Sequence, residues 1–64
     1  MIVQWYKDGR EARVFSAENT LLAELTHLPY LEMVDARLKL FGLCRNKKWQ
    51  RLSWGFEAVL HKVK

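Results

Sequence analysis

Ala36-Arg37-Leu38-Lys39-Leu40-Phe41-Gly42-Leu43-Cys44-Arg45-Asn46-Lys47-Lys48-Trp49-Gln50-Arg51-Leu52-Ser53-Trp54-Gly55-Phe56 is the stretch whose reading decides the fold. It holds two of the three Trp residues of the 64-residue chain and its densest run of positive charge. Side chains alternate across a strand and recur every 3.6 residues on a helix, so two periods sort the same residues differently. With period two, Val34, Ala36, Leu38, Leu40 and Gly42 face one way, and Asp35, Arg37, Lys39 and Phe41 the other. Leu52, Trp54, Phe56, Ala58 and Leu60 share one face of a second strand. A chain reversal near Asn46 then pairs Leu40 with Leu52, Leu38 with Trp54, Ala36 with Phe56 and Val34 with Ala58. Each aromatic meets a smaller side chain, which is favourable cross-strand packing.

With the helical period, Leu31, Val34, Leu38 and Phe41 line one face, and Gly42 suits the position just past a helix end. Asp35 and Lys39 form an i,i+4 pair, and Trp49, Leu52, Phe56, Val59, Leu60 and Val63 line a second helix. Leu, Ala, Glu, Lys and Arg outnumber β-branched residues here, which favours helices. The helical reading, however, leaves Trp54 and Leu40 off the buried stripe. It also puts Gly55 inside a helix, at about 1 kcal/mol relative to Ala. The hairpin is therefore the first reading and the helices the alternative. The hairpin leaves Phe41, Leu43 and Val59 outside the core.

Upstream, Ile2-Val3-Gln4-Trp5-Tyr6-Lys7 and Arg10 to Phe15 flank Asp8-Gly9. Asp-Gly between two alternating runs is a hairpin signal, because both central residues of a type I′ turn need positive φ. The register places Val3 opposite Val14 and Trp5 opposite Ala12, with Ile2 and Phe15 on the other face. Ser16 or Asn19 then caps an expected helix over 17–27, with Glu18 in its first turn. Leu21, Leu22, Leu25 and Leu28 form its apolar stripe, and Pro29 closes it. The element order is ββαββ over residues 1–64: a small two-layer α+β domain with one helix covering a four-stranded antiparallel sheet. The alternative is the N-terminal β-hairpin packed on three short helices. Inward residues are Val3, Trp5, Ala12, Val14, Leu38, Leu40, Leu52, Trp54 and Phe56.

At 64 residues, 50% of them hydrophobic, the chain is an ordered domain near the lower size limit for a self-sufficient core. The single Cys44 excludes an internal disulfide and a four-Cys zinc site, and fits a cytoplasmic location. No apolar run approaches transmembrane length, and no signal peptide opens the chain, so no membrane association is expected.

The net charge of +4 is unevenly spread. Residues 1–32 set Lys7, Arg10 and Arg13 against Asp8, Glu11, Glu18, Glu24 and Glu32, a balance of −2. Residues 33–64 set Arg37, Lys39, Arg45, Lys47, Lys48, Arg51, Lys62 and Lys64 against Asp35 and Glu57, a balance of +6. Such asymmetry points to an anionic partner.

The sequence carries no catalytic constellation, and an enzyme is not expected. Cys44 with His27 or His61 gives a nucleophile and a base on separate elements, without an orienting third group. Carboxylates are scattered, Asp8-Gly9 is a turn rather than a calcium loop, and the glycines are too far apart for a phosphate cradle. No metal or cofactor is implied. The expected function is a small non-enzymatic binding or regulatory module. The first ligand is nucleic acid: Arg45, Lys47, Lys48 and Arg51 neutralise phosphates, Trp49 stacks, and Arg37 and Lys39 extend the surface. The alternative is a protein-protein interaction module, an inhibitor or adaptor of a larger machine or a homodimer. It would use an apolar sheet face of Tyr6, Phe15, Phe41 and Leu43, with Ile2 and Val59 beside them.

Overall fold

The N-terminal hairpin forms in the expected register. In the computed structural model, which describes residues 1–63, β1 (Ile2–Tyr6) pairs antiparallel with β2 (Glu11–Phe15), Val3 opposite Val14 and Trp5 opposite Ala12. Both strands bury every second residue, so Val3, Trp5, Ala12 and Val14 enter the core. The turn itself differs from type I′. Its left-handed residue is Arg10 at φ +51°, not Asp8 or Gly9.

The segment expected to form a helix over 17–27 is instead strand β3 (Leu21–Leu25), paired with β2. Ser16 performs the capping chemistry expected of it, but on a loop. Its Oγ accepts from the Glu18 and Thr20 amides at 3.2 and 3.1 Å, and Asn19 takes φ +65°. A Ser side chain satisfying nearby N–H groups closes a tight reversal as well as it starts a helix. The reversal lays the leucines along the free edge of β2, and ladder hydrogen bonds override their helical spacing. Leu25 is buried, and Leu21 and Leu22 are exposed.

After β3, Leu28 turns into the core. The buried Trp5 Nε1–H donates to its carbonyl at 2.9 Å, and its own N–H donates to the Arg10 carbonyl at 2.9 Å. The helix comes next, where the period-two alternation predicts a strand: α1 (Glu32–Leu40). It buries Val34 and Leu38 and places Glu32 and Asp35 in its first turn and Arg37 and Lys39 in its last, as the helix dipole favours. Gly42, at φ +71°, follows its end. Leu40, expected inside, is 80% exposed.

The C-terminal strands are β4 (Leu43–Arg45), β5 (Gln50–Leu52) and β6 (Gly55–Lys62). The reversal expected near Asn46 lies instead at Ser53-Trp54, and Leu52 pairs with Gly55. The pairings of residues 34–40 with 52–58 do not form, because 34–40 is helix. β4 and β5 lie end to end along one edge of β6, and β1 takes the other edge. The sheet order is β3-β2-β1-β6-β4, with β5 beside β6. The fold is α+β, an antiparallel sheet of six strands with one helix, against four strands expected. The alternative of three helices behind one hairpin does not occur.

Gly55 is fixed by a close approach. A Cβ there would sit 1.9 Å from the Trp5 carbonyl oxygen. The core adds Leu25, Leu28, Val34, Leu43, Ala58 and Leu60 to the expected residues, while Leu52, Trp54 and Phe56 are only half-buried. No helix among the described residues is long and apolar enough to cross a membrane.

Candidate nucleic-acid interface

Arg45 organises the region around the basic run. Across the β4–β6 ladder it pairs with buried Leu60, which aims it toward α1. There its guanidinium meets Asp35 in a forked contact, Nε to Oδ1 at 2.6 Å and Nη2 to Oδ2 at 2.8 Å. Two parallel charge-assisted bonds suit the planar guanidinium. The hydrogen bond to Asp35 raises the Arg45 pKa, its charge adds a smaller push, and burial opposes both. Nη1 also donates to the Lys47 carbonyl at 3.3 Å, and the guanidinium lies 5.0 Å above the Trp49 ring. One side chain therefore ties helix, loop and Trp together.

This clamp shapes an open cleft of about 540 Å3, lined by Asp35, Lys39, Cys44, Arg45, Asn46, Lys47 and Lys48. Lys39, Lys47 and Lys48 are exposed, and none has a carboxylate within ion-pair distance among the described residues. The cleft's one acid, Asp35, is already committed through both oxygens to Arg45. The i,i+4 pair of Asp35 with Lys39 is therefore replaced by a contact to β4. Positive charge remains uncompensated at the cleft mouth.

The structure thus gathers Lys39, Arg45, Lys47 and Lys48. Trp49 backs them, half-buried against the core with one ring face under Arg45. Arg51 is exposed on β5, opposite Phe56, outside the cleft lining. Arg37 is half-buried and lies outside the lining, two residues and so about 200° around the helix from Asp35 and Lys39.

The other expected surface divides. Tyr6 and Phe15 do share the sheet face away from α1, along with Ile2. Tyr6 is partly covered there: Trp54 lies 5.1 Å from its ring, Arg13 sits 5.2 Å over it, and its hydroxyl bonds Gln4 at 2.6 Å. Gln4 in turn donates to Glu57 at 2.9 Å. Phe41 is not on that face. It caps the C-terminus of α1 and is 55% exposed. Leu43 points into the core at 8% exposure, because β4 turns it beneath the helix.

Cys44 and His61 sit on separate elements, as expected, but β4 and β6 bring them opposite one another, with Sγ 2.9 Å from Nε2. Among the described residues the His61 ring has no side-chain partner besides Cys44, and no group of three or more His, Cys, Asp or Glu could hold a metal ion. The Asp35–Arg45 clamp was invisible in the sequence, since ten residues and a helix end separate its partners. Compared with known proteins, the chain matches no family model, no curated protein and no solved structure.

Proposed function

We propose that the protein is a non-enzymatic binding module that holds nucleic acid by its phosphate backbone. The observation that carries this reading is the convergence of Lys39, Lys47 and Lys48 on one open cleft whose only acid is engaged by Arg45. Lysines are flexible point charges rather than planar forks, and phosphate contacts fix position without reporting base identity. Trp49 is partly occupied by Arg45 and the core, so it supports the cleft rather than presenting an open stacking platform. Binding is therefore expected to be sequence-tolerant and strongly salt-dependent.

A salt titration with single-stranded and duplex oligonucleotides of mixed sequence tests this. The expected result is a linear fall of log affinity with log salt, similar across sequences. Binding no tighter than millimolar at low salt, or affinity indifferent to salt, contradicts it.

A further inference from the structure

Helix α1 buries only one side. Val34 and Leu38 face the sheet, and at 100° per residue Met33, Ala36 and Leu40 point the opposite way. Leu40 is 80% exposed and Met33 38%, and the flanking Tyr30 and Phe41 are 68% and 55% exposed. Scattered apolar residues on a surface are ordinary, but Met33 and Leu40 share this outer face two turns apart, with Ala36 between them.

The same helix carries ordered charge. Glu32 and Asp35 occupy the first turn, Arg37 and Lys39 the last. Asp35 is held by Arg45, and among the described residues Glu32 at one end and Lys39 at the other have no ion pair. A second copy laid antiparallel across this face, with the two-fold axis near Ala36, brings Met33 of each copy against Leu40 of the other. Glu32 of each copy then lies at the basic end of its neighbour. A parallel arrangement sets like charges together. Ala36 at the crossing carries only a methyl group, so the helix axes approach closely.

We infer that the outer face of α1 is the interface of an antiparallel homodimer. The surface is self-complementary in both apolar pattern and charge, as an isologous two-fold contact requires. A helix of nine residues is about 14 Å long, so the contact is small and the dimer reversible. This inference does not rest on nucleic-acid binding: its apolar residues Met33, Ala36 and Leu40 lie outside the basic cleft, and Lys39 alone belongs to both surfaces.

Sedimentation equilibrium of the full chain from micromolar to millimolar concentration tests it. The parent is expected to dimerise, and Leu40→Asp to weaken the dimer at least about tenfold while keeping the parent's circular dichroism and melting. Should Leu40→Asp fail to fold, Ala36→Glu on the same exposed face takes its place with the same expectation. Ala36→Cys in a Cys44→Ser background is expected to cross-link across the axis on oxidation. Leu22→Lys, on the exposed edge of β3, is expected to leave the dimer intact. A parent that stays monomeric at millimolar concentration overturns the inference. So does a dimer that survives Leu40→Asp or Ala36→Glu, or one that Leu22→Lys abolishes.

Discussion

Two sites on the molecule treat positive charge differently. On the sheet formed by β1 to β3, Arg13 lies between Glu11 at 3.7 Å and Glu24 at 3.4 Å, with its guanidinium over the Tyr6 ring. Its Nε approaches Glu24 without hydrogen-bond alignment, so this is an ion pair by distance rather than a directed bond. Every interaction available to that cation is local. Among the cations that line the cleft, one is similarly committed and three have no ion pair among the described residues. Arg45 takes the one carboxylate of the cleft lining, and Lys39, Lys47 and Lys48 line the cleft beside it. The difference teaches that a basic run is not a uniform binding surface. A cation with a carboxylate in reach becomes part of the scaffold, and its neighbours without one remain available to a ligand.

The largest effect tests whether the helix that carries half of this comparison is where the fold places it. Leu38→Ala should cost about 2–5 kcal/mol, because a fully buried side chain is removed. That is a large share of the stability of so small a domain. Leu40→Ala should stay within about 0.5 kcal/mol, as at other exposed positions. A strand over 34–40 would turn both leucines inward and make the two losses alike. Chemical denaturation of the two variants separates these outcomes.

Trp49→Ala comes next. With the ring half-buried against the core, thermal melting should show a loss of roughly 1–3 kcal/mol. The salt slope of oligonucleotide binding should not change. Unaltered stability with weakened binding would mean that the ring stacks on the ligand instead.

The sequence disclosed the first hairpin to the register because alternation and turn residues agreed there. Elsewhere two physical signals conflicted. Val34, Ala36, Leu38 and Leu40 satisfy period two, and Val34 with Leu38 also satisfies the helical period. Period two is favoured only if Leu40 and Trp54 must be buried and Gly55 kept out of a helix, yet Leu40 is exposed and α1 ends before Trp54 and Gly55. An exposed Leu on the outer face of a helix carries no local mark. At β3 the four leucines have helical spacing and Ser16 has capping chemistry, yet both serve a hairpin. Only the free edge of β2, a long-range feature, decides between them. The basic site was legible as composition, in Lys47, Lys48 and Arg45. That Arg45 and Trp49 are framework, and that Lys39 joins the cleft from the helix, depends on tertiary contacts.

A smaller effect sharpens the comparison from the acidic side. Asp35→Asn removes the cleft's one negative charge. Because the pair is partly solvated, with the Asp35 side chain 39% exposed, the stability loss should stay below about 1 kcal/mol. Affinity for oligonucleotides should rise and the salt slope steepen, since Arg45 is freed to face phosphate. Weaker binding in a folded Asp35→Asn protein would show that the clamp's geometry matters more than its charge. The smallest effect is expected at Arg13→Ala. It removes one positive charge, as a single Lys change does, but from a site already neutralised by Glu11 and Glu24. Fluorescence anisotropy should find its oligonucleotide affinity close to the parent's.

The most direct measurement compares salt slopes for the parent, Lys47→Ala with Lys48→Ala, and Arg13→Ala on one single-stranded oligonucleotide. Each lost phosphate contact flattens the slope by about 0.7, so the double-Lys variant should flatten it by about 1.4 while Arg13→Ala leaves it unchanged. A slope unaltered in the double-Lys variant, or flattened equally by Arg13→Ala, would contradict the assignment of ligand binding to the uncompensated lysines of the cleft.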